Sequence, residues 1–167
     1  MDEALLVLRV VFALMVFGHA TQKLFGWFRG KGPAGTGAIF ELSGLRPGKL
    51  MALTAGLLEL ASAVSIGFGF LTFLGAIALV GAMIVAASTL WHKGFWAHMG
   101  GMEVPFTYAL LALFLAWAGP GAISVDYALG IHIHSWWVAL GGLALAAIGT
   151  SPLVMMVLKH RRQQASN

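Results

Sequence analysis

The chain has no cysteine. Disulfides, thiolate-ligated iron–sulfur clusters and CxxC redox chemistry therefore lie outside its own repertoire. Charge is scarce too: 10% of the 167 residues are charged and 59% are hydrophobic, whereas a soluble domain carries roughly 25% charged residues. So few charges cannot cover a water-soluble globule of this length, and lipid must face much of the surface. Period-2 alternation of apolar and polar residues is missing, which argues against transmembrane strands. No basic stripe accompanies the net charge of +4, so nucleic acid is not expected as a partner. The N-terminus carries Asp2 and Glu3 in place of the basic start of a signal peptide, and no A-x-A site follows, so the first apolar run is expected to be retained. Walker A, G-x-S-x-G, H-E-x-x-H and dinucleotide fingerprints are absent in any suitable context.

What the chain does have is long apolar runs, with a mean hydropathy of +0.87. About 20 residues cross a hydrocarbon core, and five stretches are read as spans: Ala4 to Trp27, two within Leu50 to Trp91, Val104 to Ala118, and Ser135 to Leu158. The Leu50–Trp91 run far overshoots one bilayer, and Gly67-Phe68-Gly69 is the natural place to fold it into a hairpin. Pro152 in the last run does not remove a span, because membrane helices tolerate proline. Between the first two spans, Thr36-Gly37-Ala38-Ile39-Phe40-Glu41 reads as a short interfacial helix or turn. The fold class is all-α, a polytopic membrane helix bundle.

Five spans put the termini on opposite sides. Lys23, Arg29, Lys31, Arg46, Lys49, Lys93, Lys159, Arg161 and Arg162 then share the side of the C-terminus, and only Arg9 does not. Basic residues gather on the cytoplasmic side, so a cytoplasmic C-terminus in a bacterial inner membrane is expected.

Ionisable groups inside spans are costly and usually face the bundle interior, where they mark function. Arg9 in the first span and Glu59 in the second are the clearest, and an Arg9–Glu59 pair between antiparallel neighbours is expected to offset their desolvation. At 100° per residue, Lys23 lies about 40° from Arg9 around the helix and His19 about 80° away. With Gln22, these residues make one side of the first helix polar. A second cluster, from His92 to Glu103, contains Trp96 and His98; histidines can carry protons near neutral pH, and an interfacial Trp/His belt is the plainer explanation of the same residues. His132 and His134, beside Trp136 and Trp137, read as interfacial anchors. A haem needs histidines set across helices, and nothing in the spacing of His19, His92 and His98 demands one. No metal site is expected. Gly75 and Gly81, or Gly141 and Gly142, are small-residue surfaces that could join helices to partners.

Several motifs in order resemble the DoxX family of membrane proteins. They are Arg9 with Phe17-Gly18-His19-Ala20-Thr21-Gln22-Lys23-Leu24-Phe25-Gly26-Trp27-Phe28; Gly35-Thr36-Gly37; Gly56-Leu57-Leu58-Glu59; Gly100-Gly101-Met102-Glu103-Val104-Pro105; and Gly119-Pro120-Gly121 followed by Ser124-Val125-Asp126. The resemblance covers roughly residues 4 to 130. It implies a four-helix DoxX-like membrane domain over residues 1–130, to which this chain adds a further transmembrane helix at 131–158 and a basic tail at 159–167. Position 20 is Ala where the family often has Gly.

The resemblance also implies a membrane subunit of a quinone/quinol-linked oxidoreductase system, with protein partners in a membrane redox complex or a homo-oligomer. In that reading His19, Lys23, Glu59 and Glu103 carry the chemistry, and Arg9, Gln22, Trp27, Trp91, Trp96 and His98 line the ligand pocket. Quinone or quinol would be the cofactor, and proton exchange would need a base within hydrogen-bond reach. The alternative is a non-catalytic membrane anchor or assembly subunit of a larger complex. The orientation has a direct check: a reporter fused to the C-terminus should give a cytoplasmic signal, and a periplasmic signal would overturn the charge argument.

Overall fold

The computed structural model describes residues 2–166, and every regular element among them is helical. Seven α-helices follow one another: α1 Asp2–Leu24, α2 Gly32–Leu42, α3 Gly48–Phe68, α4 Thr72–Leu90, α5 Glu103–Ala118, α6 Val125–Ala128 and α7 Trp136–Ala165. Two single 3₁₀ turns, Trp91–Lys93 and Ala97–Met99, shape the link between α4 and α5. Helices α1, α3, α4 and α7 are long and apolar enough to cross a bilayer. The remaining expected crossing is α5, whose 16 residues rise about 24 Å. It still connects the two ends of the bundle, from the turn after α4 to the loop that packs on the α3–α4 turn. One face of the bundle thus holds the N-terminus, the α3–α4 turn and the segment 119–135; the opposite face holds α2, the 91–102 segment and the C-terminus.

The buried positions of α1 are Arg9, Phe12, Ala13, Val16, Ala20 and Thr21, the three- and four-residue spacing of a single helical stripe. Off that stripe Val7, Val11 and Leu14 are also apolar but exposed, as expected where lipid is the solvent. The partner of α1 is α3, which turns Ala52, Gly56, Glu59, Ala63 and Ile66 inward. Small residues let the backbones approach where the hydrophobic effect cannot drive association. A Cβ on Gly56 would lie 2.7 Å from Leu24 Cγ, and one on Gly67 would lie 3.2 Å from Ala13 Cβ.

The expected hairpin is formed. Gly69 ends α3 in the left-handed region at φ +65°, which glycine adopts without steric cost. Asp126 braces the turn from outside: its carboxylate accepts from Leu71 N at 2.7 Å and Thr72 N at 2.9 Å. A carboxylate at the start of α4 satisfies orphan donors and complements the helix dipole. It also holds Leu71 at φ +49°, a strained value for a branched residue that persists only when its surroundings over-determine it.

Helix α4 is the hub, packed against α3, α5 and α7. Its contact with α7 runs through glycines. A Cβ on Gly142 would meet Ile77 Cδ1 at 2.4 Å, and one on Gly81 would meet Thr150 Cγ2 at 3.3 Å. Gly75 is likewise occupied within the fold, against Ser65 of α3. Three of the four glycines expected to offer partner surfaces are therefore spent on internal packing, and Gly141 alone faces open space. Helix α7 passes through Pro152 without breaking. Proline cannot donate to the carbonyl four residues back, and the Ser151 hydroxyl donates to that carbonyl, Ile148 O, at 2.7 Å. The helix then runs on to Ala165, so the basic residues after Leu158 extend α7 as a helical turn rather than an irregular tail.

Asp126→Ala should strip Leu71 and Thr72 of their acceptor. A loss of about 2–3 kcal/mol is expected from unsatisfied buried donors, seen as a lower thermal midpoint of the detergent-solubilised protein; an unchanged midpoint would mean that the turn holds itself.

Candidate functional site

The expected Arg9–Glu59 pair does not form. Each group has a different partner, because helix length separates them: Arg9 lies level with Ile66 at the end of α3, seven residues beyond Glu59, or about 10 Å. The Arg9 guanidinium donates from Nη1 to Ile66 O at 3.4 Å and from Nη2 to Ile123 O. It lies over Gly69, where a Cβ would come within 2.0 Å of Nη1, so Gly69 is required by space as well as by φ. Asp126 supplies the opposite charge nearby. Arg9 thus meets one carbonyl in the last turn of α3 while Asp126 meets the first amides of α4, each charge against the helix end of opposite polarity.

Glu59 pairs with Lys23. The ammonium Nζ lies 2.8 Å from Oε1 and 2.6 Å from Oε2, and the two side chains are 20% and 3% exposed respectively. The motif Gly56-Leu57-Leu58-Glu59 accounts for this. Residues three apart share a helix face, so the glycine and the glutamate both look at α1. Where Gly56 has no side chain, the Lys23 stem crosses, since a Cβ there would be 3.4 Å from Lys23 Cβ. The ammonium then reaches the carboxylate one turn further on. Lysine carries three donors, and two are used here.

The pair forms the polar end of a cavity of about 100 Å³. Its other walls come from Phe40 of α2, Leu45, Leu58 of α3, Val85 of α4, and Thr150 and Leu153 of α7. The cavity is apolar apart from the ion pair and three threonines, and the Thr150 and Thr89 hydroxyls are turned onto carbonyls of their own helices at 2.7 Å. The last helix is therefore a wall of this space.

The remaining expected site residues separate. His19 is half-buried and stands edge-on to Tyr108 of α5, with ring centroids 5.4 Å apart. Tyr108 is buried and also meets Phe12 edge-on at 5.4 Å, and Glu59 lies within electrostatic reach of its phenol. Gln22 turns outward, its Nε2 3.5 Å from Phe28 O. Trp27 is exposed and packs on Phe25 and Phe28. Glu103 accepts from Ala97 N at 2.8 Å and so fixes the 94–103 loop. Trp91, Trp96 and His98 are exposed on that loop and do not line the cavity. The structure thus brings Lys23 and Glu59 together, sets His19 one turn from Lys23 on α1 and outside the cavity lining, and leaves the loop residues at the surface. No group of three His, Asp or Glu suited to a metal ion occurs among the described residues.

Sequence reasoning passed over Tyr108, Asp126 as a helix brace, and Thr150. A lone tyrosine in the apolar run 104–118 was the available signal for the first. Thr150 carried none, because its meaning comes from how α7 packs on α4.

Comparison with curated proteins and with solved structures finds no match to this chain. Comparison with protein families finds one, DoxX, over residues 4–99. That segment contains α1 to α4 with both members of the Lys23–Glu59 pair, and it spans more than half of the sequence. The chain belongs to the DoxX family.

Proposed function

We propose that this protein is a membrane subunit of a quinone/quinol-linked redox system, and that the Lys23–Glu59 pair holds the oxygen-bearing edge of the quinone ring. The observation that carries the reading is a buried ion pair facing an apolar cavity, with one lysine donor unspent. Membership in DoxX, a membrane family often linked to redox-related proteins, supports it. A quinone is a flat apolar ring with polar oxygens at its edges, and the cavity matches that chemistry with apolar walls and one charged end.

When bound, the quinone/quinol couple supplies the exchange of electrons and protons. The chain's own residues bind and orient it. The free Lys23 N–H would donate to a ring oxygen, and Glu59 would accept from a hydroxyl. The apolar wall from Leu58, Val85 and Leu153 limits water around the pair, which strengthens both interactions. His19, one turn from Lys23 on α1 and edge-on to Tyr108, is the group on this chain that would exchange the proton. The electron-transfer partner is assigned to another subunit. The face with α2 and the C-terminus is assigned to the cytoplasm of a bacterial inner membrane, because Arg29, Lys31, Arg46, Lys93, Arg161 and Arg162 lie there. The anchor reading draws on the small extramembrane portion and is the outcome if ligand binding fails.

Binding of a short-chain quinone to the purified protein tests the site. Lys23→Met and Glu59→Gln should each weaken it by about tenfold or more, the loss of one charge-assisted hydrogen bond. Absence of binding by the wild type, or binding by both variants as tight as the wild type's, would sink the proposal and favour the anchor.

Stability separates the structural part of the pair from the functional part. Lys23→Met leaves a buried carboxylate without a partner and should cost about 3 kcal/mol. Lys23→Met combined with Glu59→Leu should recover most of that loss, because apolar residues can replace a buried ion pair. The double variant should regain its thermal midpoint while quinone binding stays lost; recovery of both would show that the pair does not touch the ligand.

A further inference from the structure

A second polar feature lies at the opposite face from Arg9, outside the quinone site. Where α4 ends, Arg161 of α7 donates from Nη2 to the Thr89 carbonyl at 2.8 Å. Its Nε is buried and has no partner. His92 and Lys93 follow directly in the 3₁₀ turn that continues α4. Arg161 caps this helix end, and two more basic side chains lie in the turn that follows it. Among the described residues the one ion pair is Lys23–Glu59, so no carboxylate lies within ion-pair distance of this cluster.

Helix capping does not use up that charge. The C-terminus of a helix is equivalent to about half a negative charge, which Arg161 alone offsets. Lys93 remains as surplus, and the His92 ring adds an N–H donor. The surroundings indicate what balances that charge. Trp91 and Trp96 flank the cluster at 69% and 56% exposed, and exposed tryptophans at the end of a membrane-spanning helix mark the headgroup level of a bilayer. A soluble anion has no use for flanking indoles, whereas a lipid places its phosphate and its upper acyl carbons at this depth.

We propose that Arg161, Lys93 and His92 form a binding site for the phosphodiester headgroup of an anionic phospholipid, with Trp91 and Trp96 packing on its glycerol and upper acyl region. The site joins α4 to α7 through a lipid phosphate. None of these five side chains lines the cavity, and the two sites share only Thr89, whose carbonyl Arg161 holds and which borders the cavity.

The test uses the full-length protein in mild detergent, titrated with dioleoyl phosphatidylglycerol and, separately, with dioleoyl phosphatidylcholine, with retained lipid counted by native mass spectrometry. Preferential retention of phosphatidylglycerol is expected. Lys93→Gln and Arg161→Gln should each reduce it by about fivefold, the value of roughly one surface charge toward anionic lipid. Arg161→Lys should keep most of it, and Lys31→Gln, on the loop before α2, should leave it unchanged. If Arg161→Gln fails to fold, Lys93→Gln carries the test alone. Equal retention of the two lipids by the wild type would overturn the proposal. So would an equal loss in Lys31→Gln, which would reduce the effect to general surface charge. Displacement of phosphatidylglycerol by millimolar inorganic phosphate would overturn it too, because a free-anion site would then explain the cluster.

Discussion

Inside a hydrocarbon layer a charge has to find its partner within the protein, because water is not there to supply one. Two arrangements in this bundle follow from that constraint. On the N-terminal face, Arg9 and Asp126 lie against helix ends of opposite polarity and tie α1, the α3–α4 turn and the segment after α5 into one unit. Nearer the other face, Lys23 and Glu59 neutralise each other across α1 and α3. The first arrangement is spent on structure, since the guanidinium and the carboxylate both bond to backbone. The second borders open space and keeps a donor in reserve.

The position of α7 connects these features. It lies outside the segment matched by the family, yet its packing uses glycines of both helices at the α4 contact. Thr150 and Leu153 complete the wall opposite Glu59, and Arg161 closes the end of α4. A chain ending after α6 would leave the cavity open toward lipid on that side and expose Gly81. Helix α7 therefore shapes the environment of a pair that the matched segment contains.

Much of this was legible in the residues. Apolar run lengths and glycine positions were enough for the helices and for the hairpin at Gly69, because span length and left-handed backbone are local requirements. The interfacial helix α2 and the polar side of α1 were readable for the same reason. The partner of Glu59 was not. Angular position on α1 put both Arg9 and Lys23 on the correct side, but choosing between them needed the axial register of α1 against α3, which packing at Gly56 and Gly67 sets.

The loop residues show the same division. Trp96, His98 and Glu103 carry a motif in sequence, but whether they face a pocket depends on how two 3₁₀ turns direct the 91–102 segment, and they leave Trp96 and His98 at the surface. The sequence by itself determined that this protein lives in a membrane, as a bundle of helices with a few charges within it, since composition and run length decide what can contact lipid. Only the tertiary structure decided which of those charges meet and that the last helix encloses them, because both depend on register and packing between segments far apart in the chain.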